Sequence, residues 1–432
     1  MKKIISLIIV CTIIISGMFI YGKSNKKDVL EDNSGPIIAA VIDGKVSTTF
    51  PTTNKYTATV ECTRNGVKQD VDAKAIWNGT KWVISFNDIS AGNVRCNAIF
   101  KTPNFAETIL ANNEIKTPIT TPGAAVSTAS EALLASAEDD YGTSYYFRGA
   151  VTNNYVEFAN KCWRIVRISG DGSVKLILHN DNTTKVANPC DAANNSASAA
   201  FAHYNGDTYR SAFNTSNNDN AYVGFKYGTP GSSTYAATHA NTNNSTILTN
   251  LETWYNNNLK TYESVIDDNV WCNDKTNVTD TTYNPFASDG VNVTGLGYAK
   301  NVTFYGATQR LVSRSKSAGG TGPSLKCNGE LSKISSKVGL ITADELAYAG
   351  YAYTHDNTIT YLQENATDTH WWSLSPDFFS GTNADVWLVH GLSGYFDSLI
   401  VNNTYGVRPS ISLKPSTNVT GDGTSEKPYV VN

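Results

Sequence analysis

The chain has 432 residues and a formal net charge of −4, enough length for two or three domains. Charged residues make up only 17% and no stretch is strongly basic, which excludes an electrostatic nucleic-acid footprint; no nucleic-acid partner is expected. Its 45 Asn and 48 Thr form about a fifth of the chain, while 23 Tyr and 8 Trp exclude a solvating disordered polymer, so the composition points to strands and turns.

In chain order, Met1 to Lys3 form a short tail and Ile4 to Tyr21 run for eighteen residues without a charge. At about 1.5 Å per residue a helix over this run spans about 27 Å, which predicts an uncleaved transmembrane signal-anchor. The short tail favours N-in, C-out topology, so the expected location is the cell membrane, single-pass, with the remaining chain extracellular. Residues 22–36 read as a polar spacer. From 37 to 102 the pattern has period two: Tyr56, Ala58, Val60 and Cys62 share one face, as do Val94, Cys96, Ala98 and Phe100. Trp77-Asn78-Gly79-Thr80 predicts a two-residue hairpin turn. A small all-β sandwich of immunoglobulin-like type is expected, with Cys62 and Cys96 placed for a bridge across it.

Residues 103–126, with Pro103, Pro118, Pro122 and Gly123, read as a linker, and 127–432 as one α+β domain. Thr128-Ala129-Ser130-Glu131 is a capping box predicting a short helix through Leu134. Strands are expected over 153–158, 161–168 and 173–178, followed by a loop-rich Asn/Ser/Gly/Tyr insertion over 180–246. Leu251, Tyr255, Leu259, Tyr262 and Ile266 predict a helix, and Thr342-Ala343-Asp344-Glu345 opens another that ends at Gly350. Strands return at 385–390, 395–401 and 406–413. Apart from Cys11 in the apolar run, six cysteines allow fifteen pairings. Joining neighbours (Cys62 to Cys96, Cys162 to Cys190, Cys272 to Cys327) is simplest, each bridge contributing about 3–4 kcal/mol. There is no CxxC and no His within four residues of any of them, so neither a zinc cluster nor a cofactor is expected.

Two stretches carry a resemblance. Val338-Gly339-Leu340-Ile341-Thr342-Ala343-Asp344-Glu345-Leu346-Ala347-Tyr348-Ala349 resembles the R-L-P-T-E-A-E-W-E-Y-A segment of formylglycine-generating-enzyme-like domains. Trp372-Ser373-Leu374-Ser375-Pro376, with Val386 to Val389 and Gly406-Val407-Arg408-Pro409, is similar to the end of that fold. Over 141–432 the chain is closer still to bacterial surface domains of unknown function, through Cys162 to Arg167, Trp254 to Leu259, Trp271 to Asp274 and Gly406 to Pro409. The resemblance implies a C-type-lectin-related α+β fold. A formylglycine-generating enzyme uses a reactive cysteine pair late in the fold, and this chain has no cysteine after Cys327, so that activity is not implied here.

His370-Trp371-Trp372, with Asp377 downstream, is the main candidate ligand-binding cluster: an aromatic platform for a sugar ring or a peptide side chain. The competing reading has Trp372 and Leu374 in the core and His370 at a loop edge. Arg408 reads either as an anion site or as an internal anchor. No HExxH, G-x-S-x-G or phosphate-loop motif occurs, and no catalytic or metal-ligating residue is singled out. The expectation is a membrane-anchored surface protein that binds a glycan or a protein through its Asn/Tyr-rich loops. An enzyme of formylglycine or hydrolase type would instead need a pocket joining His355, His370 or His390 to Asp377 or Asp385. A passive envelope or spacer protein is the third possibility.

Overall fold

The computed structural model describes residues 37–64, 66–69, 72–86, 94–126, 128–286 and 295–431. They divide into two compact units, one ending at Thr102 and one beginning at Pro103. The predicted transmembrane helix at 4–21 and the spacer at 22–36 lie outside the described residues. Among those residues no helix is long and apolar enough to cross a membrane.

The first unit is built on a five-stranded sheet. Its central strand Val94–Lys101 is flanked by Ile37–Ile42, in parallel, and Thr57–Arg64, antiparallel, with Lys45–Ser47 and Val67–Gln69 at the edges. The separate hairpin Ala73–Trp77 and Trp82–Phe86 packs on it, and Ala40, Trp82, Ala98 and Phe100 form the small core between them. This is one sheet with a hairpin laid over it, which corrects the expected immunoglobulin-like sandwich. Cys62 and Cys96 stand opposite each other on adjacent strands of the same sheet, Cα atoms 4.0 Å apart, and are disulfide-bonded. The hairpin strands close at Trp77 and Trp82. Asn78 Oδ1 caps the connection by accepting from the Thr80 and Lys81 amides, so the turn is wider than its Asn-Gly pair predicts.

The second unit is predominantly β, and this overturns the α+β, C-type-lectin-like fold expected from the sequence. Five short α-helices occur among the described residues: α1 (Phe105–Asn112), α2 (Tyr235–His239), α3 (Thr246–Asn258), α4 (Gly306–Leu311) and α5 (Ala343–Ala349). One eight-stranded sheet has the order Ser410–Leu413, Val174–Asn180, Lys161–Ile168, Tyr155–Phe158, Tyr429–Val431 and Val419–Thr420, with the hairpin Ala132–Asp139 and Gly142–Gly149 joined to Lys161–Ile168. A six-stranded sheet orders Arg210–Ala212, Thr404–Gly406, Trp371–Phe379, Ala384–Val389 and Phe396–Ile400, with Thr303–Phe304 beside Trp371–Phe379. An extended hydrophobic core, from Phe105 to Tyr429 in sequence, lies within this unit, with two small satellite clusters around Leu133 and Tyr146 and around Tyr155 and the Cys162–Cys190 bridge.

Several local expectations change here. The segment 103–126 does not stay an unpatterned linker: α1 starts at a capping box, Asn104 with Glu107, and buries Phe105 and Ile109. The capping-box sequence at 128–131 starts no helix. Glu131 instead accepts from the amides of Ile119 and Thr120 and pairs with the buried Arg148 at 2.8 Å, so the chain continues as the strand Ala132–Asp139. α3 ends at Asn258 rather than near 266; Leu259 and Ile266 are buried, but a 3-10 turn over Lys260–Tyr262 separates them. The box at Thr342 and Glu345 does open α5, with both reciprocal hydrogen bonds made. Two further disulfides, Cys162–Cys190 and Cys272–Cys327, close loops of this unit.

Candidate functional site

The strand Trp371–Phe379 carries Trp371, Trp372 and Asp377 and is buried along its whole length, while His370 stands just before it. Trp371 and Trp372 are both fully buried. The Arg408 guanidinium lies 4.8 Å from the Trp371 ring, and Trp372 donates its indole N–H to the Ser211 carbonyl at 3.0 Å. Asp377 is also buried, accepting hydrogen bonds from the hydroxyls of Thr308 and Ser398. Burial pushes its carboxyl up to about 7 against the lowering effect of those hydroxyls, and neighbouring Asp397 adds to the rise. His370, Trp371 and Asp377 therefore do not form one ligand-binding cluster: Trp371 and Asp377 are interior residues.

His370 alone reaches the surface, and the fold gives it partners far off in sequence. Its ring lies 4.1 Å from that of His390 and 5.0 Å from that of Tyr405, while Tyr395 meets His390 edge-on at 5.3 Å. His370 Nδ1 accepts from the Gly391 amide at 3.2 Å, which fixes the neutral tautomer protonated on Nε2. Partial burial holds both imidazoles below the usual histidine value; His390 lowers His370 further, while Asp356 opposes the effect at His390. The result is an uncharged, half-buried face of two imidazoles and two phenols. The sequence names His370 and His390 but gives no sign that Tyr395 and Tyr405 join them, because the contacts span four neighbouring strands of one sheet.

A pocket joining His355, His370 or His390 to Asp377 or Asp385 is not what the structure builds. His355 Nδ1 bonds the Tyr353 carbonyl at 2.7 Å, and Asp385 sits within the strand Ala384–Val389 opposite Phe378 and Ile400. The imidazoles found near carboxylates are His203, 3.4 Å from Asp181, and His179, 3.8 Å from Glu364. Among the described residues no group of three or more His, Cys, Asp or Glu is arranged to hold a metal ion.

Charge is concentrated in a cleft beside the Cys272–Cys327 bridge, lined among others by Asp139, Arg167, Lys175, Asp274, Arg310 and Glu345. Arg310 makes a two-pronged contact with Asp344, at 2.7 and 2.8 Å, and a third bond to Asp274 at 2.8 Å. Arg167 bridges Asp139 at 2.7 Å and Glu345 at 2.9 Å, and Lys175 reaches Glu345 at 2.6 Å. Burial raises the Glu345 carboxyl, but Lys175 and Arg167 overcome this and hold it at about 2. Each of these charges is met by an opposite one, so the cleft is a structural ion network. Trp271-Cys272-Asn273-Asp274 serves the same framework: it ends the strand Asn269–Cys272, and Asn273 ties Phe225 to Leu374. Arg408 likewise anchors carbonyls, those of Leu178 and Leu362.

The segment 180–258 is ordered by its own amides. Asn182 Nδ2 donates to the carbonyls of Asn160 and Val186, Asn214 Nδ2 to those of Tyr222 and Gly224, and Asn220 Nδ2 to those of Tyr298, Ala299 and Asn301. Much of the Asn excess thus replaces secondary structure as the partner of loop backbone.

Over residues 304–415 the chain is similar to a family described as a domain of unknown function, DUF6273. That stretch contains α4, α5, most of the six-stranded sheet, His370, His390, Tyr395 and Tyr405. No curated protein and no solved structure matches the chain.

Proposed function

We propose that this is an extracytoplasmic surface protein whose second unit recognises a glycan or protein ligand, and that recognition is its task. The observation that carries the reading is the pre-ordered Asn/Tyr-rich layer over 180–258. Loops already held by asparagine-to-backbone bonds lose little freedom on binding, while tyrosine rings and free amides supply adaptable contact chemistry. The neutral His370, His390, Tyr395 and Tyr405 face adds a second aromatic surface of similar character. Three disulfides over two units suit an oxidising compartment. Catalysis finds less support, since the carboxyl with the most unusual proton affinity, Asp377, is enclosed under Thr308 and Ser398. The test applies the full chain to a glycan array and to an extracellular-protein display panel. Binding in either format that is lost on heat denaturation is expected; blanks in both overturn the proposal.

A further inference from the structure

A concave site of about 100 Å³ opens on the Asn/Tyr-rich layer, lined by His203, Tyr204, Asn205, Tyr209, Thr253, Trp254, Asn257 and Asn258. Two elements make it. One is the tight hairpin His203–Tyr204 with Asp207–Thr208, whose connecting Asn205 and Gly206 both take positive φ. That turn lifts Tyr204 into solvent, 58% exposed, with its ring 6.1 Å from that of Tyr209. The other is the C-terminal half of α3, which presents Thr253, Asn257 and Asn258 around the buried Trp254.

The geometry points to a subsite for a neutral pyranose ring. Two tilted phenol rings, one of them projecting, offer apolar faces to the C–H side of a sugar, while Asn205 and Asn257 are exposed amides able to donate and accept at hydroxyls. Trp254, 3% exposed, adds a buried indole to the lining. Among the described residues no Asp, Glu, Lys or Arg lines the cavity, and the imidazole in its lining, His203, faces Asp181 at 3.4 Å. Lys161, 5.5 Å from the Trp254 ring, is already paired with Asp181 at 2.7 Å, so an anionic ligand finds no free cation in the lining, whereas an uncharged polyol matches donors, acceptors and aromatic faces together. A peptide strand finds only a two-residue sheet edge here, because each hairpin strand is two residues long. This assignment rests on the recognition reading above and narrows its ligand to a carbohydrate.

The experiment titrates the full chain with the methyl glycosides of glucose, galactose, mannose and N-acetylglucosamine, following tryptophan fluorescence and calorimetric heat. At least one glycoside is expected to bind and to shift the fluorescence. Tyr204→Ala should weaken that binding at least fivefold and Asn257→Ala at least threefold. Tyr141→Ala, which removes a ring of comparable exposure at 55% from the rim of the charged cleft, should leave it unchanged. Both site residues are exposed, so circular dichroism should confirm intact folding. Glycan binding that is indifferent to Tyr204→Ala and Asn257→Ala overturns this subsite while leaving the recognition proposal standing. Capture of proteins with no glycoside binding overturns it in favour of a protein ligand, and blanks for every probe overturn both.

Discussion

Glu345 performs two tasks with one carboxylate. One oxygen accepts from the Thr342 amide and completes the cap of α5; the other receives Lys175 and Arg167. Glu345→Gln keeps an acceptor for the cap but leaves two buried cations facing an amide, and urea denaturation should show a loss of about 3–5 kcal/mol. Its folded pKa of about 2 lies below the ordinary 4.5, so its stabilising effect is complete above pH 4.5 and fades as pH falls towards 2. The gap between wild type and Glu345→Gln should close over that window; a gap independent of pH would refute the ion-pair account. Asp377 runs the other way. With a folded pKa of about 7 against an ordinary 3.8, it retains a proton that the unfolded chain releases, so its contribution turns unfavourable as pH rises from about 4 to 7. Asp377→Asn should therefore gain on wild type by roughly 1–4 kcal/mol between pH 4 and pH 8, measured by the same denaturation series.

At the scale of elements, Gly350 ends α5 with φ 120° while its N–H returns to the carbonyls of Leu346 and Ala347. A Cβ there would stand 2.2 Å from Val126 Cγ2, so Gly350→Ala should lower thermal stability by about 1–3 kcal/mol through strain and clash together. An unchanged melting temperature would disprove this. α5 is also the element most legible in the sequence, because its start signal and its stop are local. The same logic fails at 128–131, where the carboxylate that would close a capping box is engaged by Arg148 from the facing strand. It half-fails after α3: Leu259 and Ile266 are buried as their spacing predicts, yet a 3-10 turn, not a continuous helix, carries them inward. Of the site, the sequence shows its residue types and the segment that holds them. The pairings that make a surface, His370 with His390 and Tyr204 with α3, depend on sheet order and a tight turn, which short-range periodicity does not encode. Asn214 illustrates the point: Asn214→Ala should speed amide exchange at Tyr222 to Phe225 at least tenfold, since one side chain closes that loop at 2.7 and 3.1 Å.

At the scale of the molecule, the two units differ in what holds them. The first has a small core around Trp82 and Phe100 and one disulfide closing a sequence separation of 34, worth about 3–4 kcal/mol. The second has an extended core and two disulfides. Mild reduction should release exchange protection in the strands Ile37–Ile42, Thr57–Arg64 and Val94–Lys101 while 128–286 and 295–431 keep theirs, as hydrogen-exchange mass spectrometry can establish. Loss in the reverse order would show that the small core suffices without its bridge.

The pairing of Val156 with Tyr429 has a consequence for biogenesis. A chain threaded through a membrane from its N-terminus delivers Tyr155–Phe158 long before Tyr429–Val431, and in the interval one edge of an apolar strand has no neighbour. Contacts this remote in sequence form slowly, and open edges recruit other chains. If the chain is exported, as the proposed extracytoplasmic location requires, that interval calls for an escort, or for slow release, until Tyr429–Val431 has crossed.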